Sequence, residues 1–452
     1  MALWKHQQET VEFGLPLNAL NDHSSPGTGK TRAHLELFNR RAEAGDSDKL
    51  LVVCPRSLMV PAWAHDIRTF FGDKYKVAVA TAANRQEALG SEADIYIINT
   101  DGVKALAKES RTVSQRRFGD KASLVIDEAT AFKNPQSMRS KAARQLSSLF
   151  AFRANLTGTP NPNTVMELWH QQLLVDGGQR LGSNYYALRN QLQDSIPQNG
   201  FMRWVDKPEA VELVHLLIKD MTIRHDFDQV MDIPETTNRY LYFDLEPKLL
   251  NQYQAMEAAG LLELEGADVT AINAAVQVNK LLQIASGAVY SAHGATNFLN
   301  SQRYELISDL VDERDHSIVF FSWEHQRQFL ADAFAKRKYD FAVIDGSVPD
   351  NQRNKIVEDF QKGRYKALLL HPKTGAHGLT LTKARTVIWA SPRYEADYFE
   401  QGIHRVRRGG QTQQTENIML CANETREDAV YEALQGKITK MQLLNTLTAR
   451  AA

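Results

Sequence analysis

Thiols are scarce in this chain: Cys54 and Cys421 are its only cysteines, far apart and each inside an apolar, strand-like run. A disulfide framework does not fit that arithmetic, and a reducing compartment does. The histidines are scattered, with no His/Cys spacing of the kind that holds zinc. No apolar run approaches the about 18 residues of a membrane span, and the opening Met-Ala-Leu-Trp-Lys-His-Gln-Gln is not a secretory signal. The expectation is therefore a soluble, intracellular protein that makes no use of a membrane, and the sequons at Asn155 and Asn423 carry no weight in that setting. An excess of one charge is also missing, because 53 Lys and Arg stand against 54 Asp and Glu, a net charge of −1. A protein that coats nucleic acid non-specifically is strongly basic, so any contact with nucleic acid here must use a local stripe of Lys and Arg. Sequence repeats of 20–50 residues are absent too, which argues against a solenoid.

What is present is ordinary globular composition, and 452 residues exceed what one core normally organises. Short apolar runs occur at 50–55, 95–99, 123–128 and 154–158, and again at 316–322, 340–346, 366–372, 386–392 and 416–422. They are continuous rather than alternating, as expected of strands buried on both faces of a parallel sheet. Helical periodicity fills the gaps at 30–44, 61–71, 137–149, 324–338 and 350–361. Strand–helix alternation in two blocks predicts two α/β domains, residues 1–235 and 236–452. Segments 163–225 and 247–286 lack convincing buried strands and read as a helical insertion and a helical protrusion. The alternation of Tyr240 and Tyr242 with Leu241 and Phe243 predicts a strand over 239–245 at the entry to the second domain.

Two motifs carry chemistry. Residues 24–31 read S-S-P-G-T-G-K-T ahead of a helical stretch. Glycines at 27 and 29 let backbone N–H groups around Thr28 approach phosphate, and the helix start adds the positive end of its dipole. Lys30 is placed to reach the β- and γ-phosphates and the Thr31 hydroxyl to ligate Mg²⁺. A Gly-rich turn before a helix can also be only a turn. The second motif is V-I-D-E at 125–128, where Asp127 would hold the metal and Glu128 would orient or deprotonate the attacking water. Acidic pairs at strand ends are commonplace, but this one follows a phosphate loop on a strand expected in the same sheet. Together they predict an ATP·Mg²⁺ site.

From here a family resemblance becomes specific. V-V-C-P-R-S-L-M-V-P-A-W (52–63), V-I-D-E-A-T-A-F-K-N-P-Q-S (125–137) and L-T-G-T-P-N-P-N (156–163) with E-L-W (167–169) resemble motifs Ia, II and III of the Swi/Snf-type ATPases of helicase superfamily two. K-H-Q-Q-E-T-V-E-F at the front resembles their Q motif. I-V-F-F-S-W (318–323), I-D-G-S-V-P-D-N-Q-R (344–353), K-T-G-A-H-G-L-T-L-T-K-A-R-T-V-I (373–388) and Q-G-I-H-R-V-R-R-G-G-Q (401–411) resemble motif IV, the segment after it, and motifs V and VI. Coverage runs over roughly residues 3–435. Departures are Ser24 for Gly or Ala, Thr130 for His, Thr380 for Asn, and His404, Arg407 and Gly409 within motif VI.

The resemblance implies an α/β fold of two RecA-like parallel-sheet lobes with helical insertions, and an enzyme that hydrolyses ATP with Mg²⁺ in the cleft between them. Gln7 matches the glutamine that reads adenine, and Arg405 and Arg408 match arginines that reach the γ-phosphate. Contacts to DNA are implied at Arg56, Ser57, Thr100, Lys373, Thr374 and Thr380. For Trp323, DNA contact and lobe packing both stay open. Trp169, Tyr185, Tyr186 and Trp204 can stack on bases or simply pack their insertion. The implied activity is translocation on double-stranded or branched DNA, by a monomer, in replication, repair or recombination. The expected setting is the cytoplasm of a bacterium or virus-infected cell, or a nucleus if the source is eukaryotic. The rivals are an RNA helicase of the same superfamily, disfavoured because D-E-A-T and T-G-T stand where DEAD-type enzymes have D-E-A-D and S-A-T, and a nucleotide-gated DNA-binding scaffold with little turnover.

Overall fold

The structure is a computed structural model that describes residues 2–436 apart from Ser110, Thr159, 161–163, 199–200, 266–270, 292–293, 298–300, 376–378, 394–395, 433 and 435. It divides into two compact units, one of residues 1–196 and 204–232, the other of 197–203 and 233–438.

The first unit is built on β1 (Ala19–Asp22), β2 (Leu50–Cys54), β3 (Val77–Ala80), β4 (Ile95–Asn99), β5 (Ser123–Asp127) and β6 (Phe152–Leu156). With the two-residue strand Thr222–Ile223 they form one seven-stranded sheet in the order β3-β4-β2-β5-β6-β1-Thr222–Ile223, and every pairing in it is parallel. The central strands have no solvent face, because alternate residues enter different cores. Leu51, Val53, Leu124 and Ile126 pack on one side, and Leu50, Val52, Cys54 and Val125 on the other. That is why these strands read as continuous apolar runs. Helices Lys30–Glu43, His65–Phe71 and Met138–Ser147 agree with the expected helical stretches.

Three strands of this sheet, β1, β3 and Thr222–Ile223, escaped the sequence reading. β1 reads Ala-Leu-Asn-Asp, yet Asn21 and Asp22 are buried. Their polar groups are satisfied at long range: Asn21 Nδ2 donates to Gln172 Oε1 (2.8 Å) and Asp22 Oδ2 pairs with His34 Nε2 (3.1 Å). β3 is too short to form a recognisable run. The insertion expected to be helical does hold helices Glu167–Asp176, Tyr185–Leu192 and Ala210–Ile218. It also carries a two-stranded ribbon, Gln193–Gln198 with Phe201–Asp206. Ile196, Met202 and Val205 on that ribbon are exposed, so no buried apolar run announced it. The Asn199-Gly200 pair was its sequence signal.

The second unit holds a six-stranded sheet in the order Thr236–Phe243, Thr415–Ala422, Thr386–Trp389, Ser317–Phe320, Ala367–Leu370, Phe341–Ile344, again parallel at every pairing. The entry strand at Thr236–Phe243 sits on the sheet edge, which accounts for its alternating pattern. Helices Pro247–Glu265 and Ala271–Ala285 occupy the segment expected to be helical, followed by an antiparallel hairpin, Ala288–Ser291 with Gly294–Asn297, that the sequence reading did not contain.

A fully buried ion pair ties this unit together. Arg303 Nη2 donates to both carboxylate oxygens of Glu427 (2.9 and 2.8 Å) and to the Ala285 carbonyl (3.1 Å), while Nη1 bonds the Ala390 carbonyl. Neither side chain is exposed. Arg303→Met keeps the volume but strands the Glu427 charge, so it is expected to cost about 3–5 kcal/mol, read by denaturant unfolding of the full chain.

Candidate functional site

In a parallel α/β sheet, ligand chemistry gathers where the strands end at their carboxyl edge. Both motifs lie there, one after β1 and the other at the end of β5. The loop at 24–29 is held in shape by its own polar atoms. Gly27 and Gly29 take φ of 86° and 77°, and Thr28 Oγ1 donates to the Ser25 carbonyl (2.9 Å). Lys30 Nζ donates to the carbonyls of Ser24 (2.6 Å) and Ser25 (3.2 Å). The lysine thus folds back across the loop at the start of helix Lys30–Glu43, with Thr31 next to it. Ser24 explains its own departure from the usual Gly or Ala: its hydroxyl accepts the His225 N–H (3.0 Å), and its N–H donates to Asp22 (3.0 Å). The loop is therefore tied to the segment after Thr222–Ile223, which Arg224 reinforces by donating to the His23 carbonyl (2.9 Å).

Electrostatics beneath the loop favour a fixed charge pattern. Burial pushes the Asp22 carboxyl up, but the hydrogen bond and charge of His34, with Lys30 and Ser24, outweigh it and hold the group well below the usual carboxylate range. Burial and the Arg224 charge push His23 down to about 3, so it is neutral at physiological pH.

Gln7 reaches the loop from helix Lys5–Gly14. Its Nε2 donates to the Gly29 carbonyl (3.2 Å) and its Oε1 accepts the Trp4 N–H (3.0 Å). A Cβ at Gly29 would lie 2.3 Å from that Nε2, so only glycine lets the glutamine in. The amide still has one N–H and one acceptor lone pair unspent in these two bonds, the complement of adenine N6 and N7. Motif III meets the same loop, since a Cβ at Gly158 would lie 2.7 Å from Pro26 Cδ. Thr159 and 161–163 of that motif lie outside the described residues.

Asp127 and Glu128 differ in setting. Asp127 is buried, and burial with the neighbouring Glu128 charge raises its pKa above the ordinary carboxylate value. Its Oδ2 accepts the Trp63 indole N–H (2.9 Å) and its Oδ1 the Glu128 N–H (3.0 Å), leaving a lone pair on each oxygen for a metal. Glu128 is partly exposed and sits at φ 53°, a left-handed conformation that a non-glycine residue holds only at a cost. The two carboxylates still feel each other, since the Glu128 charge contributes to the raised Asp127 pKa. Lys133 after the acid pair bridges to Glu167 (3.0 Å), joining the K-N-P and E-L-W segments. Trp63, His34, Arg224 and His225 are the supporting residues that motif reading missed, since each acts across a long sequence separation.

In the first unit, the loops implied to meet DNA leave the same edge as the two motifs. Arg56 and Ser57 follow β2, Thr100 follows β4, and the Thr100 N–H donates to the Cys54 carbonyl (3.1 Å). In the second unit Lys373 and Thr374 lie on the turn Pro372–Gly375 after strand Ala367–Leu370, and 376–378 lie outside the described residues. Trp323 is only 8% exposed, its ring parallel to His325 at 5.9 Å, which is a packing position. Trp169 is likewise buried against Tyr185, whereas Tyr186 is exposed and Trp204 carries the Arg189 guanidinium on its face at 3.7 Å.

The two arginines of motif VI are not equivalent. Arg405 is buried, with Nε on the Gln401 carbonyl (2.9 Å) and Nη1 on the Leu379 carbonyl (3.2 Å). Arg408 is half-exposed and donates to the His404 carbonyl (3.3 Å) and the Thr380 hydroxyl (3.2 Å). Thr380, replacing the usual Asn, thus serves as an acceptor for Arg408.

Two parallel sheets, with a phosphate loop and an acid pair on one and the motif V and VI arginine region on the other, define a helicase-like ATPase core. Residues 20–291 match the SNF2-related domain, and residues 302–410 match the helicase conserved C-terminal domain. The chain belongs to the SNF2-related family and carries a Swi/Snf-type core. Protein p41 of Acyrthosiphon pisum secondary endosymbiont phage 1 is 26% identical over 465 residues, 97% of each chain. The chromodomain-helicase-DNA-binding protein 1-like of Danio rerio is 23% identical across 93% of this chain, which spans only 41% of that protein. Among solved structures, the SWI2/SNF2 ATPase core of Sulfolobus solfataricus in complex with dsDNA is 22% identical, with TM-score 0.46 over 99% of this chain and 93% of that one.

Proposed function

We propose that this chain is a DNA-dependent ATPase that translocates on duplex or branched DNA as a monomer, in replication, repair or recombination in a bacterium or virus-infected cell. The observation that carries the reading is a shared edge: Arg56, Ser57 and Thr100 leave the sheet where Lys30 and Asp127 also stand, with Thr100 hydrogen-bonded to the end of β2. Grip on a phosphate backbone and nucleotide chemistry then use one rigid platform. Thr31 and Asp127 would hold Mg²⁺, and Lys30 and the helix start would hold phosphate. Bound ATP supplies the phosphoanhydride whose cleavage drives movement. Glu128 takes the proton of the attacking water, and Arg405 and Arg408 act on charge developing at the γ-phosphate. The end-to-end match to a phage protein is consistent with the proposed setting.

Backbone loops contact phosphates rather than base edges, so sequence preference is slight. If about 6 phosphates are neutralised, duplex affinity drops roughly 10³-fold between about 50 and 200 mM salt. Duplex or forked DNA is expected to stimulate hydrolysis more than single strands or RNA, and the motor to displace a triplex-forming strand while unwinding a plain duplex poorly. RNA-selective stimulation places the chain among RNA helicases instead, and DNA binding without turnover makes it a scaffold. Gln7 gives a separate check. Gln7→Ala removes a bidentate contact of about 1–3 kcal/mol, so the KM for ATP rises about tenfold and the preference for ATP over GTP shrinks. An unchanged ATP/GTP ratio would mean that Gln7 only braces the loop.

A further inference from the structure

Between Pro55 and Gly72 the chain passes through three helical types. A 3₁₀ turn, Arg56–Leu58, is followed by a π-helical turn, Met59–Ala64, and then by the α-helix His65–Phe71. Met59–Ala64 is the one π-helical stretch among the described residues. A π turn adds a residue per turn and re-aims every side chain after it, and such turns concentrate at functional sites. Here it delivers Trp63, which is completely buried in the core formed with Val52, Cys54, Ile97 and Val125. Trp63 has a single polar atom, and that atom donates to Asp127 Oδ2 at 2.9 Å. Arg56, seven residues earlier, is exposed at the sheet edge. One short segment therefore has an exposed cation at its start and a hydrogen bond to the buried carboxylate near its end.

We propose that Trp63 is a positioning residue that fixes the Asp127 carboxylate for metal binding and ties it to the loop carrying Arg56 and Ser57. Packing alone does not require the indole N–H, because a phenyl ring fills most of the same space. The carboxylate, however, has rotational freedom about its Cβ–Cγ bond that only its hydrogen bonds remove. With Oδ1 held by the Glu128 N–H and Oδ2 by Trp63, the remaining lone pairs are fixed in direction. A movement of the 56–64 turn on meeting a phosphate backbone is transmitted through the indole to the metal ligand. DNA contact and metal loading are thereby linked, an inference that rests on the ATPase and DNA reading above.

The test removes the N–H and keeps the ring. Binding of a fluorescent ADP analogue is titrated with Mg²⁺ and with EDTA, using the full chain and its Trp63→Phe and Asp127→Asn variants. Partners that orient metal ligands are typically worth 10–100-fold in metal affinity, so Trp63→Phe is expected to shrink the Mg²⁺-dependent gain about tenfold and to leave the EDTA affinity within about twofold. The ratio of DNA-stimulated to basal hydrolysis is expected to fall with it. If the phenyl variant folds poorly, Trp63→3-benzothienylalanine keeps the indole shape with sulfur in place of N–H. A folded variant with an undiminished Mg²⁺ response overturns the positioning role, and an unchanged stimulation ratio overturns the link to DNA. Asp127→Asn separates the levels: if it too leaves the Mg²⁺ response intact, the metal assignment itself fails.

Discussion

Lys30→Ala is expected to take ATP hydrolysis to background, a loss of at least about 10²–10³-fold, because a preorganised charge on the transferring phosphoryl group is removed. The loss has a second source. Lys30 Nζ closes the loop on the Ser24 and Ser25 carbonyls, so alanine also loosens the backbone that would receive phosphate. The unit should still fold, since the loop keeps its anchors from His225 and Gln7. Glu128→Gln is expected to lower turnover about 10²–10⁴-fold by removal of the base, while ATP still binds and persists. Filter retention of radiolabelled ATP and a phosphate-release assay distinguish the two. A Lys30→Ala variant retaining more than a few per cent of parental turnover would refute the phosphate-loop assignment.

The second large effect separates the motif VI arginines. Arg408→Ala is expected to lower turnover about 10³-fold or more with little change in ATP affinity or melting temperature, as for arginines that stabilise phosphoryl-transfer charge. Its partners include the His404 carbonyl and the Thr380 hydroxyl, and its side chain is half-exposed. Arg405 differs because its guanidinium satisfies buried carbonyls at Gln401 and Leu379. Arg405→Ala should therefore lose turnover and also stability, by about 1–3 kcal/mol for acceptors left without a donor. Measuring kcat and chemical denaturation for both variants checks the split. Equal stability losses would show that exposure does not distinguish them, and near-normal turnover by Arg408→Ala would remove it from the chemistry.

What the sequence disclosed and what it hid follow from the range of the interactions. The loop at 24–31 and the acid pair at 127–128 were readable because their chemistry is local, set by glycine φ angles and adjacent carboxylates. The parallel strands at β2, β4 and β5 were readable because burial on both faces leaves an unbroken apolar run. β1 was hidden because Asn21 and Asp22 are satisfied by Gln172 and His34, partners that no local window contains. The ribbon at 193–206 was hidden for the opposite reason, being too exposed to need apolar alternation. Trp63 stood inside a recognised motif, but its bond to Asp127 crosses 64 residues and depends on a π turn that has no sequence signature.

Cys54 and Cys421 are both buried, and burial pushes the Cys421 thiol up to about 12 and that of Cys54 well above its ordinary value. Neither presents a thiolate to solvent at neutral pH, so maleimide dyes should pass the native chain by. The wild-type background is then ready for site-specific labelling without first removing its cysteines. One cysteine introduced at Met138, 73% exposed in the first unit, and another at Arg364, 63% exposed in the second, would accept a donor and an acceptor fluorophore. Energy transfer between them would test whether the proposed ATP turnover moves one unit against the other.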